Sequence, residues 1–285
     1  MTLANWNGKQ CELEKLMIPA LDRAFLFGDA VYEVIKVHNN RPFLFQEHLT
    51  RLAASLQAID IQFSLDTIKD RVTRLLETSP IEFGMIYLQI TRGQGPRIHF
   101  PRERLKPNCL IYSQQLQSQD LEQKRKKGIK VLLTPEIRWS ACHIKSTSLL
   151  GNVLGYKSAR MQGFEEAIFV NQKQMIHEGS HSSLFMVKNG EIFVPPLSEQ
   201  ILPSITRKLL IHLAEKINFS VVQDFFDIEK LYAADEVFLA GTTSELLPVV
   251  QINETKVSYG KPGPISLTLY QQYRLILEQH WDSIA

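Results

Sequence analysis

The chain has 285 residues, of which 44% are apolar and 22% charged, and its formal net charge is +2. These values are typical of a folded globular protein with one large or two ordinary domains, and they exclude a disordered or fibrous chain. The nearly balanced charge gives no reason to expect a nucleic-acid partner, and no segment reaches the roughly 18 consecutive apolar residues that cross a bilayer.

The N-terminal segment and the cysteines bear on location. The first residues, MTLANWNGKQCELE, lack the charged and apolar regions of a secretory signal. The three cysteines, Cys11, Cys109 and Cys142, are too few and too widely spaced for a disulfide framework or a Cys-x-x-Cys metal site. We therefore expect a cytoplasmic protein without a membrane anchor or a bound metal.

In the first part of the chain the apolar spacing alternates between the helical and the strand period. Residues 47–61 and 66–79 carry apolar side chains at helical spacing, whereas 85–93 and 108–114 are short and rich in branched and aromatic residues, as strands are. The polar stretch 114–127 is predicted to be a domain linker or surface segment, and its basic end, Lys124 to Lys127, a solvated helix end or part of that linker.

The second part is richer in strands. Four short strands, IKVLLTP, EEAIFVN, SLFMVKNG and EIFVPP, precede a helix over 206–218 and a strand that runs into a polar turn over 235–245. Strands with interspersed helices favour mixed α and β domains over a regular βαβ repeat. We predict an N-terminal α/β domain over residues 1–118 and a C-terminal domain over 119–285.

A lone lysine, Lys145, lies among small and apolar residues in ACHIKSTSLLGN. A lysine whose amine is kept from water presents the neutral form that attacks carbonyl groups. An exposed lysine at a strand edge would have the same local sequence, so this segment alone leaves both interpretations open.

A carboxylate, Glu178, follows a predicted turn in MIHEGSHSSLF and precedes a strand. An acid next to glycine at such a junction is commonly an ordinary turn residue. It could instead hold a proton on the ring nitrogen of a cofactor, and the local sequence does not decide between the two.

Two hydroxyl-rich turns could bind a phosphate. In ILPSITRK, Ser204 and Thr206 lie where a helix is predicted to begin, and GTTSE follows a predicted strand. Hydroxyls at a helix start can cap the helix or bind an anion together with the free N–H groups. Neither GxxxxGK[ST] nor GxGxxG occurs, which argues against the common nucleotide-binding folds.

The loop TRGQGPRIHFP carries Arg97 and His99. Alternate residues of an extended segment share a side, so both side chains can point the same way. An arginine fork with an imidazole N–H suits a carboxylate; a solvated loop is the alternative.

In combination these segments resemble the fold-type IV aminotransferases, which depend on pyridoxal phosphate. The blocks DRAFLFGDAVYEVIKV, EHLTRL, IKSTSLLGNVLGYKSA, EGSHSSLF, LPSITRK, ADEVFLAGTTSE and GKPGPI follow one another in the family's order. The resemblance runs from about Asp22 to Tyr270. It implies an α/β (α+β) fold of two domains, a small N-terminal α/β domain and a larger C-terminal pseudo-barrel domain.

The resemblance also implies roles for individual residues. Lys145 would carry pyridoxal phosphate on its amine and move a proton between the substrate Cα and C4′ of the cofactor. Glu178 would face the pyridine nitrogen. The remaining cofactor contacts would come from Leu202 against the ring and from residues around the phosphate: Arg51, Ile205, Thr206 and Thr242.

Within the family, Arg97 and His99 resemble the carboxylate trap of the D-amino-acid aminotransferases. That trap would be completed by Tyr32 and would reach the site from the second subunit of a homodimer. YEVIKV, with Lys36 in place, is also similar to this branch. The implied reaction is transamination between a D-amino acid of the D-alanine type and a 2-oxo acid.

The sequence leaves other interpretations of the activity open. An aminodeoxychorismate lyase, which eliminates pyruvate, uses the same cofactor, and an L-branched-chain aminotransferase or a carrier of pyridoxal phosphate without activity are further alternatives. The chain departs from the usual pattern of the D-amino-acid enzymes at His143, Ser148, His181, Ser183 and Ser204. Ser204 replaces a glycine, so we expect an altered backbone there.

Overall fold

The computed structural model describes residues 2–279, 282 and 284. Up to Gln115 the described chain forms the strands Leu3–Trp6 (β1), Lys9–Glu12 (β2), Ala30–His38 (β3), Arg41–Pro42 (β4), Phe83–Thr91 (β5) and Asn108–Gln115 (β6), and the helices Arg23–Phe27 (α1), Phe45–Ala58 (α2) and Leu65–Thr78 (α3).

These strands form one antiparallel sheet in the order β2-β1-β6-β5-β3-β4. The hairpin β1–β2 turns at Asn7 and Gly8, both at positive φ (52° and 91°), as a two-residue hairpin turn requires. Helices α2 and α3 cover the sheet through buried side chains at helical spacing, among them Leu49, Leu52 and Leu75.

The rest of the described chain forms the helices Ser118–Lys127 (α4), Leu150–Met161 (α5), Ile205–Lys216 (α6), Ile228–Tyr232 (α7) and Pro264–Glu278 (α8). Its strands are Ile129–Pro135 (β7), Glu166–Val170 (β8), Ile176–Gly179 (β9), Ser183–Lys188 (β10), Glu191–Val194 (β11), Val221–Gln223 (β12), Glu236–Gly241 (β13), Glu245–Ile252 (β14) and Thr255–Lys256 (β15).

This second sheet is mixed and runs β12-β11-β10-β13-β14-β7-β8-β9, with β15 added to β14. The pairs β14–β7, β7–β8 and β11–β12 are parallel and the others antiparallel. The side chains of β10 alternate between two hydrophobic cores, one on each face of the second sheet. Phe185 and Val187 pack with α6 and α8 on one face, whereas Leu184 and Met186 pack with α7 on the other.

The predicted mixed α/β class is confirmed. The stretch 114–127, predicted to be a domain linker or surface segment, is mostly exposed, as a surface segment is. Those residues end β6 and form α4, and Arg125 is only 5% exposed. The expected solvated helix end therefore applies to Lys126 and Lys127, not to Arg125. Helix α4 connects β6 of the first sheet to β7 of the second. The domain boundary between residues 118 and 119 stays a prediction.

Within the described part of the chain, every helix is too short or too polar to cross a membrane.

Candidate active site

A cleft opens where the two sheets meet. Its walls come from β3 of the first sheet and the helix α2 that covers that sheet, from the segment between β7 and α5, and from the ends of β9, β10 and β13. Of the ten residues predicted for the site, six line this cleft: Tyr32, Arg51, Lys145, Glu178, Leu202 and Thr242. Distant parts of the sequence thus meet in one place, while their individual roles stay predictions.

Lys145 lies in the irregular segment before α5 and is tied to the first sheet. The backbone N–H of Tyr32 donates to the carbonyl of Lys145 (2.9 Å), and the Lys145 N–H donates to Ser55 Oγ (3.2 Å). Its Nζ lies 4.2 Å from the centroid of the Tyr32 ring, whose face attracts a cation. The amine is therefore held half-buried at the cleft and is not an exposed strand-edge group.

Glu178, near the end of β9, is buried and points at the cleft. Its Oε1 accepts from Arg138 Nη1 at 2.5 Å, and both carboxylate oxygens lie 3.3 Å from the N–H of Leu202. Burial raises the pKa of Glu178 above its usual range, although Arg138 opposes this shift. The carboxyl group is thus fixed in direction and holds a proton more readily than a carboxylate in water.

Arg138 is shared between two acids. Its Nη2 donates to Glu136 Oε2 (2.7 Å), and its guanidinium lies 4.5 Å from the Phe169 ring centroid. Burial alone would raise the pKa of Glu136, but hydrogen bonds from His177 and Arg138 lower it to about 2. Arg138 therefore donates through two side-chain nitrogens to Glu136 and through one to Glu178.

Arg51 projects from α2 and is held by a buried acid. Its Nε and Nη2 donate to the two oxygens of Glu33 at 2.7 Å each, and its Nη1 donates to the carbonyl of Pro203 (3.1 Å). His48 Nδ1 lies 2.7 Å from Glu33 Oε2. Burial by itself would raise the pKa of Glu33, but Arg51 and His48 lower it to about 2.

The start of α6 has the expected form. Ser204 is the N-cap, and its Oγ accepts from the N–H of Arg207 (3.2 Å). Ser204 has φ −69° and ψ 131°, a backbone that any residue adopts, so the expected distortion at this position is wrong. Ile205 and Thr206 are buried in the first turn, where N–H groups lack intrahelical partners.

The donors around the cleft fit an anionic ester. Ser183 Oγ is buried at the cleft and has no hydrogen-bond partner within residues 2–279, 282 and 284. Thr242 of the GTTSE turn and the guanidinium of Arg51 line the same cleft, and α6 begins beside it. A free hydroxyl, a cation and a helix N-terminus together match the acceptors and charge of a phosphate group.

Arg97 and His99 do not line this cleft. Both are exposed, and both lie against Phe27: the guanidinium carbon of Arg97 is 5.5 Å, and the His99 ring 5.6 Å, from the Phe27 ring centroid. Arg23 holds their loop by donating to the carbonyls of Ile98 (2.6 Å) and His99 (3.2 Å). The two side chains therefore do share a side, but outside the cleft of their own chain.

Sequence reasoning missed three charged residues near the cleft: Arg138, Glu33 and Glu166. Glu166 accepts hydrogen bonds from the hydroxyls of Ser180 and Ser182, and Nδ1 of His181 lies 2.8 Å from Glu166 Oε2. Glu33 lies in the block that resembles the family and could have been noted there. Arg138 and Glu166 have ordinary local sequences, and only the fold reveals their partners.

Comparison with known proteins places the chain in a family. The model of the amino-transferase class IV family matches residues 30–252. A D-alanine aminotransferase of Staphylococcus epidermidis is 32% identical over 285 aligned residues, which are 98% of this chain and 99% of that one.

Solved structures share the fold. A branched-chain amino acid aminotransferase of Escherichia coli has a TM-score of 0.91 at 24% identity and covers 99% of this chain and 96% of its own. The branched-chain amino acid aminotransferase of Thermobaculum terrenum, solved in its PLP-form, has a TM-score of 0.86 at 26% identity, with 98% of this chain and 94% of that one covered. The family match over most of its length and the relative that spans nearly all of it show that the chain belongs to the class IV aminotransferases, enzymes that use pyridoxal phosphate.

Proposed function

We propose that this aminotransferase transfers the amino group between a D-amino acid of the D-alanine type and a 2-oxo acid. The observation that carries the proposal is the pair Arg97 and His99, presented together on Phe27 at an exposed loop. An arginine beside an imidazole suits the α-carboxylate of an amino acid. The relative from Staphylococcus epidermidis, named D-alanine aminotransferase, supports the same substrate class.

Lys145 and Glu178 are the proposed catalytic residues. When bound, pyridoxal phosphate supplies an aldehyde and an electron-accepting ring. Lys145, held half-buried against Tyr32, would bind that aldehyde and move the proton at the substrate Cα. Glu178, whose pKa burial raises, would share a proton with the ring nitrogen and keep that nitrogen positive.

The proposed phosphate contacts are the hydroxyl and N–H groups at two turns. Thr206 and the N–H of Ile205 belong to the start of α6, and Thr242 belongs to the turn after β13. Arg51 would add positive charge, although Glu33 already occupies two of its nitrogens. Leu202, whose N–H is bound by Glu178, would pack against the ring.

The substrate carboxylate would be bound across a homodimer interface by Tyr32 of one subunit and Arg97 and His99 of the other. Large apolar side chains near the loop support such an interface: Phe25, Phe100 and Leu150 are 79%, 83% and 71% exposed. The segments that carry Phe25 and Leu150 are neighbours, because Thr147 Oγ1 donates to the carbonyl of Gly28 (3.2 Å). Exposed apolar area of this kind commonly marks a protein interface.

The test is an absorption spectrum of the cofactor-loaded protein with D-alanine and, separately, with L-alanine. We expect D-alanine alone to convert the bound cofactor into its amine form, with pyruvate released. The variant Arg97→Ala should bind the cofactor normally but convert it with a much higher KM for D-alanine, because the carboxylate loses its cation.

Other outcomes assign other activities. Conversion by L-amino acids alone would place the chain with the branched-chain enzymes. A cofactor unchanged by both amino acids, with pyruvate released from aminodeoxychorismate, would identify a lyase. A kcat/KM unchanged in Arg97→Ala would contradict the carboxylate trap.

A further inference from the structure

Lys36 is a buried cation that the proposed chemistry does not use. It lies on β3, is 1% exposed, and its Nζ is 4.2 Å from the Phe83 ring centroid. The Nζ forms an ion pair with Glu245 Oε1 at 2.7 Å. Burial lowers the pKa of Lys36, and Glu245 opposes this shift. The pair joins the first sheet to the second.

Glu245 also binds a second buried cation. Arg125 of α4 donates from Nη2 to Glu245 Oε2 (2.8 Å) and from Nε to the carbonyl of Leu246 (3.2 Å). On its other side, the guanidinium of Arg125 lies 3.7 Å from the Tyr270 ring centroid. One carboxylate therefore ties together β3, α4 and β14, and we call Lys36, Glu245 and Arg125 the Glu245 network.

The Glu245 network acts on the turn that carries Thr242. Glu245 ends the segment Gly241–Glu245 and has φ 59°, a left-handed conformation that is strained for a residue with a side chain. Such strain persists only where surrounding contacts fix the backbone. At the other end, a Cβ on Gly241 would come within 2.7 Å of Ser244 Oγ, so the turn is folded tightly on itself.

Stability alone is a poor explanation for this arrangement. Removing ions from water is unfavourable, and apolar residues of similar size are often as stable as a buried ion pair. None of the three residues lines the cleft, so the network can act on a ligand only through the turn.

We propose that the Glu245 network is a positioning device that holds the turn Gly241–Glu245 as the binding site for the phosphate of the cofactor. The inference rests on the proposed phosphate contact of Thr242. It assigns Lys36, Glu245 and Arg125 to the binding of a phosphate monoester. They act through the backbone of the turn, without touching the ligand.

The experiment compares two probes, pyridoxal phosphate and pyridoxal, which differ only in the phosphate. Their dissociation constants are measured by absorption titration of the cofactor-free protein, for the wild type and for Lys36→Met. We expect Lys36→Met to bind pyridoxal phosphate about tenfold more weakly, as couplings within a contact network allow. Its affinity for pyridoxal should be unchanged, because pyridoxal makes no phosphate contact.

Two control variants separate positioning from general damage. Lys188→Met removes an ion pair (Lys188 Nζ–Asp235 Oδ1, 3.0 Å) far from the turn, and Ile68→Ala weakens the core of α3. Both should keep the wild-type ratio of the two dissociation constants. If Lys36→Met folds too poorly to be titrated, Arg125→Met, which leaves Lys36 and Glu245 as a neutral pair, is measured in the same way and carries the same expectation.

The inference is overturned if Lys36→Met has the wild-type ratio of the dissociation constants for pyridoxal phosphate and pyridoxal. This holds whether both affinities fall together or neither falls. A wild-type protein that binds pyridoxal phosphate no more tightly than pyridoxal would contradict the proposed phosphate site itself, and the inference would fail with it.

Discussion

Two buried carboxylates, Glu33 in the first sheet and Glu178 in the second, are each paired with one arginine beside the cleft. Glu33 has Arg51 on both of its oxygens and His48 in addition, and its pKa falls to about 2. Glu178 has one nitrogen of Arg138, and its pKa rises. Burial acts in the same direction on both acids, so the difference comes from their partners.

The decisive feature is how many charged donors each carboxylate has. Glu136 shares Arg138 with Glu178, yet it accepts from two nitrogens of Arg138 and lies against His177, and its pKa falls to about 2, as that of Glu33 does. Glu178 accepts from a single arginine nitrogen, so burial outweighs its partners and its pKa rises. A raised pKa means a retained affinity for a proton, which the proposed partner of a ring nitrogen needs.

The largest effect is expected from Glu178→Gln. Gln cannot hold the proton of the ring nitrogen as an anion does, so kcat should fall by roughly 10³-fold, the order of a lost charge-stabilising group. Melting temperature should change little, because Arg138 keeps Glu136. Steady-state kinetics with D-alanine measure the effect, and Glu229→Gln, an exposed acid on α7, is the matched control. A kcat within a few-fold of the wild type would contradict the assigned role.

Glu33→Gln should instead affect stability. It leaves the cation of Arg51 buried without its anion, and breaking such a pair costs about 3 kcal/mol in the free energy of unfolding. Urea unfolding of the cofactor-free protein measures it. Because the pKa of Glu33 is lowered from 4.5 to about 2, its contribution is complete above pH 4.5 and is lost as pH falls toward 2. A stability difference from the wild type that stays constant over this range would disprove the assignment.

Glu136→Gln tests the sharing of Arg138 and should have the smallest effect. With Glu136 neutral, the full charge of Arg138 acts on Glu178, and a neighbouring negative charge is removed. The pKa of Glu178 should therefore fall, as followed by NMR titration of carboxyl-labelled glutamate in the cofactor-free protein. A pKa that stays the same or rises would show that Arg138 is not divided between the two acids.

The sequence identified much of the site because its motifs are local. Lys145, Glu178, Leu202 and Thr242 each lie in a short segment with a distinctive composition, and the order of these segments indicated the family. Arg138 could not be found in this way, since its importance comes from contacts with residues 40 positions away and more.

The fold was predicted less evenly. Helices α2, α3 and α6 carry apolar side chains at helical spacing and were recognised within a few residues. Helix α4 was predicted only as a linker or surface segment, because it packs through Arg125 and an ion pair, which leave no apolar pattern that would indicate a helix. The hairpin β1–β2 is short and polar, although its Asn7-Gly8 turn was a usable signal.

One strand, β3, carries within five residues three side chains on which the proposals and predictions depend. Tyr32 and Lys36 point to one face, toward the cleft and toward Glu245, while Glu33 points to the other, toward Arg51. A single residue inserted or deleted in β3 before Tyr32 would reverse these faces and turn all three side chains the wrong way. In natural variation or directed evolution, a change in the length of β3 should therefore be tolerated less than a substitution at one of its half-buried positions, such as Val34.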